Sequence, residues 1–428
     1  MLMSLRRSVN RRFLIFFALA GLMAGFAAAQ QPGVQTLPAP QQLPAQQILT
    51  APPPPAWQQG RPESMRHSPL VPHPPGTTAL PTAQIPLDKI KLPPGFAIEL
   101  WATGLPNARS ITLGAKGTVF VGTRQLDTVY AVVDNDGKRE VRTLIKGLQR
   151  PNGLAYQGGT LFVAEQSRIL RYDNIEESLN NPPKPVVVFD ALPRDEHHGW
   201  KTLVLGPDGW LYFNIGAPCN NCVPPETHAQ IVRVDPKNGV LETIARGVRN
   251  SMGMAFHPLS KELWFTNHGR DWLGDDTPND TLHRIASGIR RGVHFGFPYC
   301  HQGDLPDPEL GKGRSCGEFA APALKLGAHV APMGMRFYDG KMFPAAYRHR
   351  IIIANHGSWN RAQKAGFNLM QVTLDAAGRP GKAEVFAEGW LDGGNHWGRP
   401  VDIQVMPDGA LLVSDDWAGA LYRISYKR

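Results

Sequence analysis

The stretch PVDIQVMPDGALLVSDDWAGALYRI, residues 400–424, holds three short apolar runs separated by two turn signals. Val401, Ile403 and Val405 alternate with polar neighbours, the period of a strand with one face turned inward. Asp408-Gly409 is a hairpin dipeptide, because glycine takes the positive φ that tight turns between strands require. Ala410 to Val413 is wholly apolar, as in a strand covered on both faces. A second turn through Trp417 and Gly419 leads into Leu421, Tyr422 and Ile424. Such a unit cannot bury its own faces, so what stacks on it decides the fold.

The chain supplies the neighbours itself. Related units read RSITLGAKGTVFVGTRQLDTVYAVV (109–133), PNGLAYQGGTLFVAEQSRILRYD (151–173), GWKTLVLGPDGWLYFNIG (199–216) with QIVRVD (230–235), and SMGMAFHPLSKELWFTNHG (251–269) with LHRI (282–285). MGMRFYDG (333–340), RHRIIIANHG (348–357) and LMQVTL (369–374) complete another. A repeat of roughly 40–60 residues carrying about four strands is a propeller blade, so six copies predict an all-β, six-bladed β-propeller over residues 86–428. A pair of β-sandwiches is the alternative architecture, but it does not explain six parallel copies. The segment RRGVHFGFPYCHQGDLPDPELGKGRSCGEF (290–319) stretches the interval between the fourth and fifth copies. Long inserts in repeats gather on one face, often the binding face.

The rest of the chain bounds its setting. Residues 1–29 read as a signal peptide: Arg6, Arg7, Arg11 and Arg12 precede an apolar run that ends in Ala27-Ala28-Ala29. Export places the mature chain in the periplasm or outside the cell, with no stable membrane insertion. Residues 30–85 are rich in Pro and Gln, and we expect a disordered tether there, the alternative being a strap on the domain surface. Of 45 Lys and Arg, four lie in the leader, which leaves 41 against 36 acidic residues, a net of +5. The basic residues are scattered, which argues against a nucleic-acid partner. Export makes disulfides the default for Cys219, Cys222, Cys300 and Cys316. Proximity favours 219–222 and 300–316 among three pairings. CNNCV lacks the His of a c-type haem attachment site, and the wide second gap does not suit zinc.

A propeller brings equivalent loops of every blade to one axis. Arg109, Asn152, His197/His198, Arg249/Asn250 and Arg399 fall at one such point of the repeat, and NHGRD (267–271) and NHGSWNR (355–361) follow second strands. Arginines near one axis repel each other unless an anion lies among them, which points to a polyanionic ligand.

HHGWKTLVLGPDGWLYFNIG, GVRNSMGMAFHP, FTNHGRDWLGDD, HFGFPYC and GRPVDIQVMPDG, in this order over most of residues 86–428, resemble the soluble pyrroloquinoline quinone (PQQ)-dependent sugar dehydrogenases, in particular their sorbosone/aldose branch. The resemblance implies PQQ across the propeller axis with a Ca²⁺ ion, and His198 as general base on a sugar hydroxyl while hydride passes to the quinone. It implies Arg249 beside His198 in the catalytic set, and Asn250, Arg399, Arg361 and His356 as cofactor-binding residues, to which the arginines converging on the axis add Arg109. For calcium it implies the backbone carbonyls of Gly269, Arg270 and Phe295 and the carboxylate of Asp280. The chain departs from the family pattern in places. His197 stands where an acid is common, which leaves open what orients His198. Val401 replaces a second arginine, and Thr281 and His283 replace a Glu and an Asn beside Asp280.

Electrons from a sugar substrate would pass to a soluble cytochrome or quinone, since the chain has no haem motif. Two other readings stay open here: a calcium-dependent lactonase-type hydrolase, and a propeller that binds a glycan or protein without catalysis.

Overall fold

The computed structural model describes residues 54–285 and 292–427. The signal-peptide assignment and the first part of the expected tether lie outside these residues. Six mainly antiparallel sheets follow one another; those of blades 1, 2 and 5 are four consecutive strands, that of blade 3 gains a short parallel strand from the insert, and that of blade 4 takes its fourth strand from beyond the insert. Blade 1 is Ala108–Leu113, Val119–Thr123, Val129–Asn135 and Lys138–Ile145. Blade 2 is Gly153–Gln157, Thr160–Ala164, Ile169–Tyr172 and Val186–Phe189. Blade 3 starts at Leu203–Leu205, blade 4 at Met254–Phe256 and blade 5 at Pro332–Phe337. Blade 6 is Pro400–Val405, Leu411–Asp415 and Ala420–Tyr426, and its fourth strand is Phe96–Thr103 from the beginning of the fold. Phe96 faces Tyr426 and Thr103 faces Ala420, so the two ends of the fold close the ring.

Burial explains the pattern within each copy. The second strands Leu211–Ile215, Ile351–Asn355 and Leu411–Asp415 are buried at every position. The outer strand Lys138–Ile145 is largely open to solvent and reads as mixed polar and apolar. Apolar layers fill each interface between neighbouring blades. Ile352 and Ala354 of blade 5 meet Ile403 and Val413 of blade 6, and Leu412 and Leu421 of blade 6 meet Val119 and Val121 of blade 1. At the axis the backbones approach too closely for side chains. A Cβ on Gly253 would fall 1.9 Å from the Met333 carbonyl oxygen, which explains the glycine within SMGM. Met252, Met333 and Val401 pack with Trp200 there.

The insert lies before the fourth strand of blade 4, Leu324–Ala328. Its Val293–His294 pairs in parallel with the outer strand Leu241–Arg246 of blade 3. Both expected disulfides form, Cys219–Cys222 and Cys300–Cys316.

The tether expectation needs correction from residue 54 onward. This segment packs on the propeller as a strap. Leu80 N–H donates to Ala418 O (2.9 Å), Asn107 Nδ2 to Gly76 O (2.6 Å) and Trp272 Nε1 to Trp57 O (2.7 Å). Ile85 is buried with the blade 5–blade 6 layer. Proline-rich sequence buries little surface of its own, but a preset extended backbone loses little entropy when it lies on a ready-made face.

Candidate active site

The residue after the second strand of each blade stands at one end of the channel: Arg124, Glu165, Gly216, His268, His356 and Asp416 in chain order. The loops leading into the first strands add Asn152, Lys201, Arg249, Asn250 and Arg399. The blade repeat therefore delivers a polar mouth from positions scattered across the chain.

One group centres on His198. Its Nδ1 lies 2.8 Å from the Ala217 carbonyl oxygen, which can only accept, so the proton sits on Nδ1 and Nε2 keeps its lone pair. A backbone carbonyl thus orients the ring, where the sequence left the orienting group open. His198 adopts φ of +52°, a left-handed backbone that non-glycine residues use sparingly. Gly216 permits the pose: a Cβ there would lie 2.5 Å from His198 Cβ. Burial, with help from His197 and Arg249, pushes the His198 pKa well below the ordinary histidine value, so the ring is neutral. The His197 ring lies 3.9 Å away, and burial followed by Arg249 takes its pKa down to about 3.

Arg249 is buried beside this pair. Its guanidinium donates to Asn220 O (2.9 Å), Asn220 Oδ1 (2.7 Å), Gly269 O (2.8 Å) and Asp271 Oδ2 (3.1 Å). Asn250 Nδ2 lies 3.2 Å from His268 Nδ1, and Asn250 Oδ1 is buried with no hydrogen-bond partner among the described residues. Asp271 also accepts from Asn360 Nδ2 at 2.8 Å. His198, Arg249, His268, Asp271, Trp359 and Asn360 line one cavity.

A second group surrounds Asp416. Arg109 Nε lies 3.2 Å and His356 Nε2 2.8 Å from its carboxylate. Burial opposes its ionisation, yet His356, Arg109 and Arg124 hold its pKa below the usual carboxylate range. Burial lowers the Arg109 pKa to about 9 and that of Arg399 to about 10. Arg399 donates to His356 O, Gly357 O and His73 O at 2.9, 2.8 and 3.1 Å. Arg124 lies over Trp200, 5.0 Å from the ring centroid, and its Nε and Nη1 are buried with no hydrogen-bond partner among the described residues. Three guanidinium groups against the buried carboxylates of Asp416 and Asp415 leave an excess of buried positive charge that suits an anion.

Two sets of expected residues are placed differently. Arg361 donates to Gln363 O (2.8 Å) and Asp276 (3.3 Å); like Arg109, Arg399, His356 and Asn250 it stands outside the lining of the His198 cavity. Of the expected calcium ligands, Gly269 and Asp280 line the cavity beside His198. Asp280 spends Oδ1 on Gly269 N–H (2.8 Å) and Oδ2 on Ala331 N–H (2.7 Å). Gly269 O accepts from Arg249, while the Arg270 side chain, which is not the expected donor, is buried against Asp307 at 2.6 Å. Phe295 follows the outer strand of blade 3, its N–H bonded to Arg246 O. Among the described residues, no cluster of three or more His, Cys, Asp or Glu is placed to hold a metal ion. The Asp280 carboxylate also ties two backbone segments together through these amides.

Sequence reasoning missed Asn220, Arg124, Asn360 and Asp416. The recurrence of NHG at 267–269 and 355–357 marked the ring position that also yields Arg124 and Asp416. Nothing in CNNC pointed to Asn220.

The family model described as Glucose / Sorbosone dehydrogenase matches residues 164–423. An uncharacterized protein of Borreliella burgdorferi is 33% identical over 353 residues, covering 79% of this chain and 91% of its own. Aldose sugar dehydrogenase YliI of Escherichia coli is 24% identical, covering 76% of this chain and 79% of its own. Among solved structures, the holo form of the pyranose dehydrogenase PQQ domain from Coprinopsis cinerea superposes with a TM-score of 0.67 at 18% identity, covering 78% of this chain and 97% of that one.

Proposed function

The chain belongs to the glucose/sorbosone dehydrogenase family, and from that premise we propose that it is an exported, PQQ-dependent oxidoreductase acting on a sugar or a related hydroxy or aldehyde compound. The observation that carries this reading is a neutral histidine lining a polar cavity, with Nδ1–H held by a carbonyl, in a ring whose equivalent loop positions also bury Arg109, Arg124 and Arg399. PQQ supplies a quinone that takes up the hydride when bound. Its carboxylates suit the open donors of Arg124 and the cations Arg109 and Arg399, with Asn250 as a further polar contact.

His198 would take the proton of the substrate hydroxyl at Nε2. Ala217 O keeps the ring aligned throughout, because Nδ1–H remains the donor in both protonation states. Arg249 would face substrate oxygen next to it. Calcium would be held beside this site by the Asp280 carboxylate, which lines the cavity, with neighbouring backbone carbonyls. Released electrons would go to a soluble carrier, a cytochrome or a quinone.

Purified protein mixed with PQQ tests the proposal. Quenching of tryptophan fluorescence, followed by dye reduction with aldoses, is the expected outcome. Absence of both, with and without added Ca²⁺, would overturn it.

A further inference from the structure

Asn220 sits between the two cysteines of the Cys219–Cys222 disulfide and is 0% exposed. All of its hydrogen-bonding groups are engaged. The backbone carbonyl and Oδ1 both accept from Arg249, at 2.9 and 2.7 Å, and Oδ1 also accepts from Asp271 N–H at 2.8 Å. Its Nδ2 donates to Gln59 O (2.6 Å) and Asp271 O (3.3 Å), and its N–H donates to Gln59 Oε1 (3.2 Å). One residue therefore joins a blade 3 loop, the NHGRD loop of blade 4 and the N-terminal strap.

We propose that Asn220 is a positioning residue for Arg249, held by the disulfide on one side and by Gln59 of the strap on the other, so that the strap is a working part of the site. A guanidinium is a rigid planar fork, and its direction is set by the spacing of the oxygens that receive it. Asn220 supplies two of those oxygens and also fixes Asp271, which supplies another. The disulfide closes a very short loop and restricts the backbone that carries both acceptors. The strap anchors the amide end, and it is itself pinned. Arg61 lies 4.8 Å above the Trp272 ring, and the Trp57 ring meets Trp359 edge-on at 5.7 Å, against a cavity-lining side chain. Farther along, His73 O receives Arg399. Both arginines of interest thus depend on strap contacts, one through Asn220 and one directly.

The inference rests on the proposed reading that Arg249 meets cofactor or substrate. The test uses the full-length protein with Asn220→Ala, Asn220→Asp and Gln59→Ala. Asn220→Ala keeps the backbone carbonyl but removes the charge-assisted Oδ1 acceptor and the Nδ2 tie to the strap, and should weaken PQQ binding, read by tryptophan quenching, by about ten- to a hundredfold. Sugar KM should rise more than kcat falls, with the melting temperature little changed. Asn220→Asp keeps the acceptors for Arg249 but turns the Nδ2 donor into an oxygen facing Gln59 O and Asp271 O, so it should recover only part of the affinity, while Gln59→Ala, which removes only the Oε1 acceptor of Asn220 N–H, should shift it in the same direction by less. An Asn220→Ala protein that folds and matches the wild type in PQQ affinity and KM would overturn the proposal. If that variant does not fold, unchanged affinity and KM in Gln59→Ala overturn it equally. Should wild-type protein take up no PQQ, the functional reading fails by itself. The positioning claim is then decided by hydrogen exchange at Arg249 Nε–H in apo protein. Faster exchange in Gln59→Ala supports it, and unchanged exchange rejects it.

Discussion

At the scale of single residues, His198 and Lys201 lie three positions apart and titrate for opposite purposes. His198 is neutral with its acceptor nitrogen free, as a base must be. His198→Ala should leave PQQ uptake nearly intact and lower turnover by about two to four orders of magnitude. Retention of more than about a tenth of the wild-type rate at saturating cofactor would remove it as the base. Lys201 is buried with Nζ on Gly199 O (2.6 Å), and burial takes its pKa from 10.5 down to about 7. Between pH 7 and 10.5 the unfolded chain holds a proton on this residue that the folded chain has released, so stability rises with pH across that window. Below about pH 7 both forms are protonated and the cost of the buried cation is constant and largest. Lys201→Met should therefore raise the melting temperature more at pH 6 than at pH 10. An equal gain at both, by calorimetry, would contradict a buried titrating ammonium.

At the scale of elements, the insert acts as a brace. Its Asp307 is fully buried and accepts from Arg270 at 2.6 Å and His301 at 2.8 Å. His301 adjoins Cys300, so the Cys300–Cys316 bridge and the ion pair hold one structure. Opening the bridge with a Cys300→Ser/Cys316→Ser double variant should cost about 3 kcal/mol in the chain-entropy account. Urea unfolding checks the value, and a loss well under about 1 kcal/mol would show that the buried ion pair alone holds the insert. His198 lies in blade 3 outside the insert, so kcat of the folded double variant should change far less than in His198→Ala.

At the scale of the whole molecule, the strap and the ring closure matter most. Limited proteolysis of full-length protein should stop before Trp57, because the strap from residue 57 to 85 is hydrogen-bonded to blades 3, 4 and 6 and to the loop entering blade 1. A stable core starting near residue 86 would restore the tether reading. Among the described residues, no helix is long and apolar enough to cross a membrane.

The sequence by itself determined the blades. Alternation, wholly apolar second strands and Asp-Gly or Gly-Gly turns are local signals, and each copy states them without help from its neighbours. It also marked His198, Arg249 and Arg399, because a repeat position is a spatial position once the blades form a ring. Tertiary structure decided what those side chains meet. The closing strand Phe96–Thr103 pairs with residues at the other end of the chain, a partnership that no local pattern encodes. Asp280 reads as a metal ligand in sequence, and the fold adds that its two oxygens also accept the amides of Gly269 and Ala331, from segments that meet only in the folded chain. Asn220 reads as a loop residue and becomes the junction of three elements, because hydrogen-bond partners 29 to 161 positions away converge on it only in the folded chain. The Pro-rich segment has too little apolar surface to fold alone, and only the finished propeller gives it a face to lie on.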